Sequence, residues 1–258
     1  MNPQFCLRRL ALLVIFILIS LHANGGPADR PGWKLTFDDE FNGATLDTNK
    51  WSPQDPFGRE RNQELQAYVK DAFQPTNGIL HINAEKRSAH YDGKDRKYTS
   101  GMMNTYGKFS QLYGRFEIRC KIPGGKGMWP AFWLLPDPLG WPPEIDILEI
   151  LGHEPNKIYM THHFRNEQRE HKSHGGTWVG PDFSKDFHEY AVEWSKDEIK
   201  WFVDGVERAH SSRDIPQKKM YILVNLAVGG DWPGAPDEQT VFPTALEVDY
   251  VRAYEKMP

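Results

Sequence analysis

The chain has 258 residues, with 31 Lys and Arg against 35 Asp and Glu, a net charge of −4. No basic cluster stands out, which argues against a nucleic-acid partner. Nine Trp, ten Tyr and fourteen Phe form a heavy aromatic load, and those beside Gly and Pro in loops suit a flat ligand such as a sugar ring.

Residues 1–25 read as a secretory signal peptide. The basic pair Arg8 and Arg9 precedes an uncharged apolar run, Leu10 to Leu21, and Ala23 and Gly25 supply a small-residue cleavage site. The run is short for a bilayer span, although a retained anchor is the alternative. The expected product is secreted or periplasmic, free of the membrane and monomeric. Residues 26–258 are enough for one domain with its own core. With Cys6 in the leader, Cys120 is the one cysteine left, so no intramolecular disulfide forms.

From there the hydrophobic pattern has period two. In "ILHINAE", Leu80, Ile82 and Ala84 share a face. In "GRFEIRCKI", Phe116, Ile118, Cys120 and Ile122 alternate with charged residues. "EYAVEWSKDEIKWFVDGVE" predicts strands around a turn at Ser195–Glu198, followed by an Asp204-Gly205 turn. "MYILVNLAVGG" and "LEVDYVRAYE" predict two more. Turn signals such as "PTNGI", "IPGGKG" and "GGDWPG" separate the strands, and no amphipathic helical window exceeds a few turns. Many closely spaced strands in one domain imply an all-β sandwich or barrel, and a sandwich is expected.

One strand is anomalous. "EIDILE" sets Glu144, Asp146 and Glu149 among Ile145, Ile147, Leu148 and Ile150. Residues i and i+2 of a strand share a face, but i+5 points the other way. A regular strand would therefore bury Glu149 in the core. A one-residue bulge at Ile147-Leu148 would return it to the face of the other two acids, leaving Ile145, Ile150 and one of the pair inside. Three neighbouring carboxyls cannot all ionise cheaply. Retaining glycoside hydrolysis needs such divergence: one carboxylate as nucleophile and one carboxyl kept protonated as acid. Its carboxyl groups must also lie about 5–5.5 Å apart, which requires a bent sheet. The plain alternative is three acids on a solvated strand face.

"EIDILE" resembles the E-x-D-x-x-E signature of glycoside hydrolase family 16, in its laminarinase-like form. The resemblance extends through "LTFDDEFNG", "RNQELQAY", "YTSG", "YGRFEIRCKIP", "GMWPAFWLLP", "YAVEWSKDEIKWFVDG", "NLAVGGDWPG" and "EVDYVRAYE", in order along most of the chain. It implies a curved, concanavalin-like β-jelly-roll with an open concave glycan cleft. By the resemblance, Glu144 is the nucleophile, Glu149 the acid/base and Asp146 the acid that orients and tunes them. Asn62 matches a sugar-contacting asparagine, and Glu117 and Arg119 match positions that bind sugar hydroxyls, the alternative for the last two being a cross-strand ion pair. His163 matches a cleft histidine and shares strand parity with Thr161 and Tyr159. A structural calcium is implied at Asp249, with Glu40 and Gly78 as partners; catalysis itself calls for no cofactor.

Trp129 and Trp133 lie four apart and share a face, so one or both should floor the cleft, a core position being the alternative for Trp133. Trp141 and Trp232 sit in Gly/Pro-rich loops where a core role is unnatural. A zinc site on His162, His163, His171 and His174 fits no compact ligand spacing. In one departure from the family pattern, Pro143 replaces the glycine usual before the first acid. The function implied is a retaining endo-β-glycanase acting on a β-1,3- or mixed β-1,3/1,4-glucan. A galactan hydrolase of the agarase or carrageenase kind is an alternative, with Arg165 and Arg169 as candidate contacts for sulfate. A transglycosylase would use the same residues, and a non-catalytic lectin-like module could share the fold.

Overall fold

The structure, a computed structural model, describes residues 30–258; the expected signal peptide and Cys6 lie outside them. Two antiparallel sheets face one another. The larger contains β1 (Trp33–Asp39), β3 (Phe73–Thr76), β4 (Ile79–Ala84), β9 (Gly114–Lys121), β14 (His188–Trp194), β15 (Ile199–Val203), β16 (Val206–Ser211) and β18 (Thr244–Lys256). Their order is β16-β15-β14-β9-β18-β4-β3, with β1 also paired to β18. The smaller contains β8 (Met102–Asn104), β10 (Met128–Pro136), β11 (Glu144–Ile150), β12 (Lys157–Arg165), β13 (His171–Val179) and β17 (Met220–Val228), in the order β13-β12-β11-β10-β17-β8. Two short pairs complete the set: β2 (Gln66–Tyr68) with β7 (Tyr98–Ser100), and β5 (Ala89–Tyr91) with β6 (Lys94–Arg96). This is the all-β sandwich expected from the period-two pattern, in the jelly-roll form that the family resemblance implies.

Alternation explains which face each strand buries. Leu80 and Ile82 of β4, Phe116, Ile118 and Cys120 of β9, and Val192 of β14 meet Phe132 and Leu134 of β10 and Ile222 and Val224 of β17 in one core between the sheets. Each such side chain contributes on the order of 1.5–3 kcal/mol when fully buried. The turns follow their residues. Asp204 and Gly205 both take positive φ, 51° and 74°, as a two-residue hairpin matching strand twist requires. The hydroxyl of Ser195 accepts from the backbone N–H groups of Asp197 and Glu198 to close the preceding turn.

β17 is buried along its whole length. Its even-numbered residues fill the main core, while Tyr221 and Leu223 form a second cluster with Met102 and Leu135, against which Phe57, Tyr68, Tyr106 and Trp133 pack. That second cluster lies on the far face of the six-stranded sheet, where the loop between β1 and β2 folds over it. The loop thus raises a wall on one side of an otherwise open sheet face.

Candidate active site

The parity break lies where the sequence places it. On β12, Asp146 pairs with Thr161 and Glu149 with Tyr159, so three steps on β11 match two on its neighbour. On β10, Trp133 pairs with Asp146 and Phe132 with Leu148, leaving Ile147 as the extra residue. In one respect the sequence reading is corrected: both Ile147 and Leu148 enter the core, not one of them. A bulge turns two consecutive side chains to the same side and bends the strand. From the opposite sheet, the buried indole Nε1–H of Trp201 donates to the carbonyl of Asp146 at 2.8 Å, which anchors the bulge from below.

Glu144, Asp146 and Glu149 accordingly line one cleft of about 860 Å³. Asp146 is only 3% exposed. Burial raises all three carboxyls, because an ion loses hydration there. Glu144 and Glu149 are pushed well above the usual carboxylate range, first by burial and then by the neighbouring acids. Asp146 is pushed up to about 7, chiefly by burial. Each outer acid has an indole donor: Trp141 Nε1–H donates to Glu144 at 2.9 Å and Trp129 Nε1–H to Glu149 at 3.1 Å. His163 Nε2 lies 3.2 Å from Asp146 Oδ2 and 3.7 Å from Glu144 Oε1. The nearer contact is off the line of a hydrogen bond, since Asp146 Oδ2 has no hydrogen-bond partner.

The structure brings Asn62, Trp129, Trp133, Trp141, His163 and Trp232 to this same cleft. Trp133 is half-buried there, its Nε1–H donating to Asn225 at 2.8 Å. Trp141 stays 47% and Trp232 40% exposed. Trp232 is held edge-on against Trp129 and Tyr159. The carbonyl of Asn62 accepts from the N–H of Asp231, which ties the loop bearing Trp232 to the opposite wall.

Glu117 and Arg119 are not in the cleft. β9 belongs to the eight-stranded sheet, so its polar face is the outer face of the other layer. Glu117 is 1% exposed, bonded by Arg115, Arg30 and Tyr254; Arg119 is paired to Asp249 of β18. The cross-strand ion-pair alternative describes both.

The same outer face holds two members of the calcium set in ion pairs. Both Glu40 oxygens are taken by Arg252 at 2.7 and 2.8 Å, and Asp249 by Arg119. Gly78 neighbours Asn42 instead. These guanidinium pairs compete with a cation for both carboxylates. The four histidines likewise divide between faces. His162 turns into the core, stacked on Phe164 with both ring nitrogens unpartnered, and burial holds its pKa down to about 4. His163 and His171 face the cleft side.

Sequence reasoning missed Glu64, Tyr68, Arg61 and Asn225. Glu64 is buried, accepts from Gln66 and Tyr68, and has its carboxyl raised by burial. Asn225 Nδ2 donates to the Tyr68 hydroxyl at 3.3 Å, which links the floor to the wall. The signals were present. Asn62, Glu64, Gln66 and Tyr68 stand two apart, and Asn225 is the lone polar residue of an apolar run.

The chain is similar to known proteins over most of its length. A beta-glucanase of Rhodothermus marinus is 36% identical over 98% of this chain and 96% of its own. An endo-1,3-1,4-beta-glycanase of Rhizobium meliloti is 38% identical over 91% of this chain, which spans 55% of that relative's length. The catalytic domain of an endo-1,3-beta-glucanase (laminarinase) from Thermotoga petrophila superposes with a TM-score of 0.80 at 36% identity, covering 88% of this chain and 99% of that one. Residues 62–251, which carry the bulged acid strand and both cleft walls, match the glycosyl hydrolases family 16, and the chain belongs to that family.

Proposed function

We propose that this chain is a retaining endo-β-glycanase that cleaves internal linkages of a β-1,3- or mixed β-1,3/1,4-glucan. The observation that carries the reading is the bulge, which sets Glu144 and Glu149 on one open cleft with Asp146 between them. The donor sets divide the roles. Glu144 has both the Trp141 indole and His163 beside it, which favour its anion. Glu149 has one indole and two acid neighbours, which favour its proton. Glu149 protonates the leaving oxygen while Glu144 attacks the anomeric carbon. Glu149, now ionised, then takes a proton from the water that releases the sugar from Glu144. The exposed indoles of Trp141 and Trp232 offer stacking surfaces for successive rings. None of this chemistry asks for a cofactor. The relatives' names support the substrate class.

Arg165 and Arg169 do not line the cleft, and Arg165 donates to the Arg169 carbonyl, so a sulfated galactan is the less favoured substrate. The apolar leader supports export to the periplasm or medium, which N-terminal sequencing of the mature protein would check. The function is tested by product analysis on laminarin, lichenan, agarose and carrageenan. Short oligosaccharides with retained anomeric configuration are expected from the first two. Cleavage of the galactans alone would overturn the substrate, and binding without cleavage of any would overturn the enzyme.

A further inference from the structure

Beside the acids stands a pair of imidazoles of which only one has been given a place. His171, the first residue of β13, faces His163 across the hairpin that joins β12 to β13. The His163 Nδ1 and His171 Nε2 atoms are 2.9 Å apart, with the two rings inclined by 21°. The His171 ring also lies against Trp141, centroids 4.7 Å apart. His171 therefore touches both groups that approach Glu144 from this side: the indole that donates to it and the histidine beside it. From this geometry we infer that His171 is a positioning residue for the nucleophile, acting through His163 and Trp141.

The chemistry follows from the two ring nitrogens of each imidazole. His163 Nε2 faces the carboxylates, so in the neutral ring that nitrogen carries the proton. Nδ1 is then an acceptor, and His171 must donate from Nε2. If His163 gains a second proton, Nδ1 becomes a donor, and His171 accepts by shifting its own proton to its outer nitrogen. Either way the bond survives and His163 keeps its angle. Neutrality of His171 is favoured by partial burial and by the nearby His163, Arg165 and Lys172, all of which lower its pKa. Packing on the His171 ring also limits the rotation of an indole that is otherwise half in solvent. Small misplacements of reacting groups carry large rate costs. Water can replace part of the bond at this exposed position, so the effect is moderate.

The inference rests on the reading of Glu144 as nucleophile. It is tested by comparing His171→Leu and His171→Gln with the wild type in steady-state hydrolysis of laminarin, with thermal unfolding as a control for folding. Gln presents an N–H near the position of Nε2; Leu does not. The expected result is a kcat lowered by about five- to twentyfold in His171→Leu, KM within about twofold, and recovery in His171→Gln to within about threefold of wild type. Unchanged kcat in His171→Leu would overturn the inference. So would equal losses in both variants, because a role in mere packing would not separate them. Glu144→Gln is run in parallel: turnover surviving in that variant would overturn the site reading itself, whatever His171 does.

Discussion

Glu144 and Glu149 are both carboxyls held above their ordinary range by the same burial, yet the proposed reaction needs one ionised and one protonated. The sign of the pH dependence follows. Activity falls at low pH as Glu144 gains its proton, and at high pH as Glu149 loses its own. Because both groups are raised, both limbs lie above the ordinary glutamate value of 4.5. Glu149→Gln should lower kcat on unactivated glucan by about 10²–10⁴-fold. On an aryl glycoside with a good leaving group, which needs no acid, the same variant should keep its first step and lose the alkaline limb. A normal bell-shaped profile in that variant would assign the acid elsewhere.

At the scale of the element, β11 is a core strand made to carry three acids. Ile145, Ile147, Leu148 and Ile150 are all buried, and the bulge alone lets the acids share the opposite face. Deleting Ile147 removes the extra residue, so Glu149 then stands four steps from Glu144 in a regular strand and keeps the cleft face. The deletion should keep the three acids on one face and retain turnover, while stability falls by about 1.5–3 kcal/mol for the one core side chain lost. A folded deletion variant without turnover would show that the bulge sets the spacing of Glu144 and Glu149 and not parity alone. This element was legible in the sequence because its apolar letters break step once; that both middle residues turn inward was not, because a one-residue bulge with both of them inward and one with a single residue inward give the same letters. β9 shows the opposite case. Its alternation was read correctly, but Glu117 and Arg119 were assigned to the cleft, and alternation says nothing about which sheet a strand joins.

Over the whole molecule, the acid cluster sets a pH dependence of stability that is independent of catalysis. A carboxyl with folded pKa raised above its unfolded value contributes stability that is fully present below the unfolded pKa and is lost as pH rises through the folded one. For Asp146 that window runs from 3.8 to about 7. Substrate-free protein should thus lose stability between those values. Asp146→Asn removes the charge that burial opposes, so at pH 8 its Tm should exceed that of wild type by at least about 2 °C, the shift roughly 1 kcal/mol produces in a chain of this size. At pH 4 the difference should vanish. Calorimetry at the two pH values checks this, and a lower Tm for the variant at pH 8 would show that the Asp146 carboxylate is stabilised in place. Improved stability at the cost of activity is the usual result when a strained functional group is neutralised.

What the sequence determined by itself was local. Strand period, turn chemistry, the single break in parity and the three acids on one strand are all set by neighbouring residues, and steric rules over a few positions suffice to read them. What only the tertiary structure decided was which faces meet. The loop from β1 to β2 brings Asn62 and Glu64 over the sheet, β17 supplies Asn225 from far along the chain, and the β12–β13 hairpin sets His171 against Trp141. The outer face of the larger sheet matches Arg119 with Asp249 and Arg252 with Glu40. Such pairings depend on long-range register, for which a single chain of letters carries no local signal.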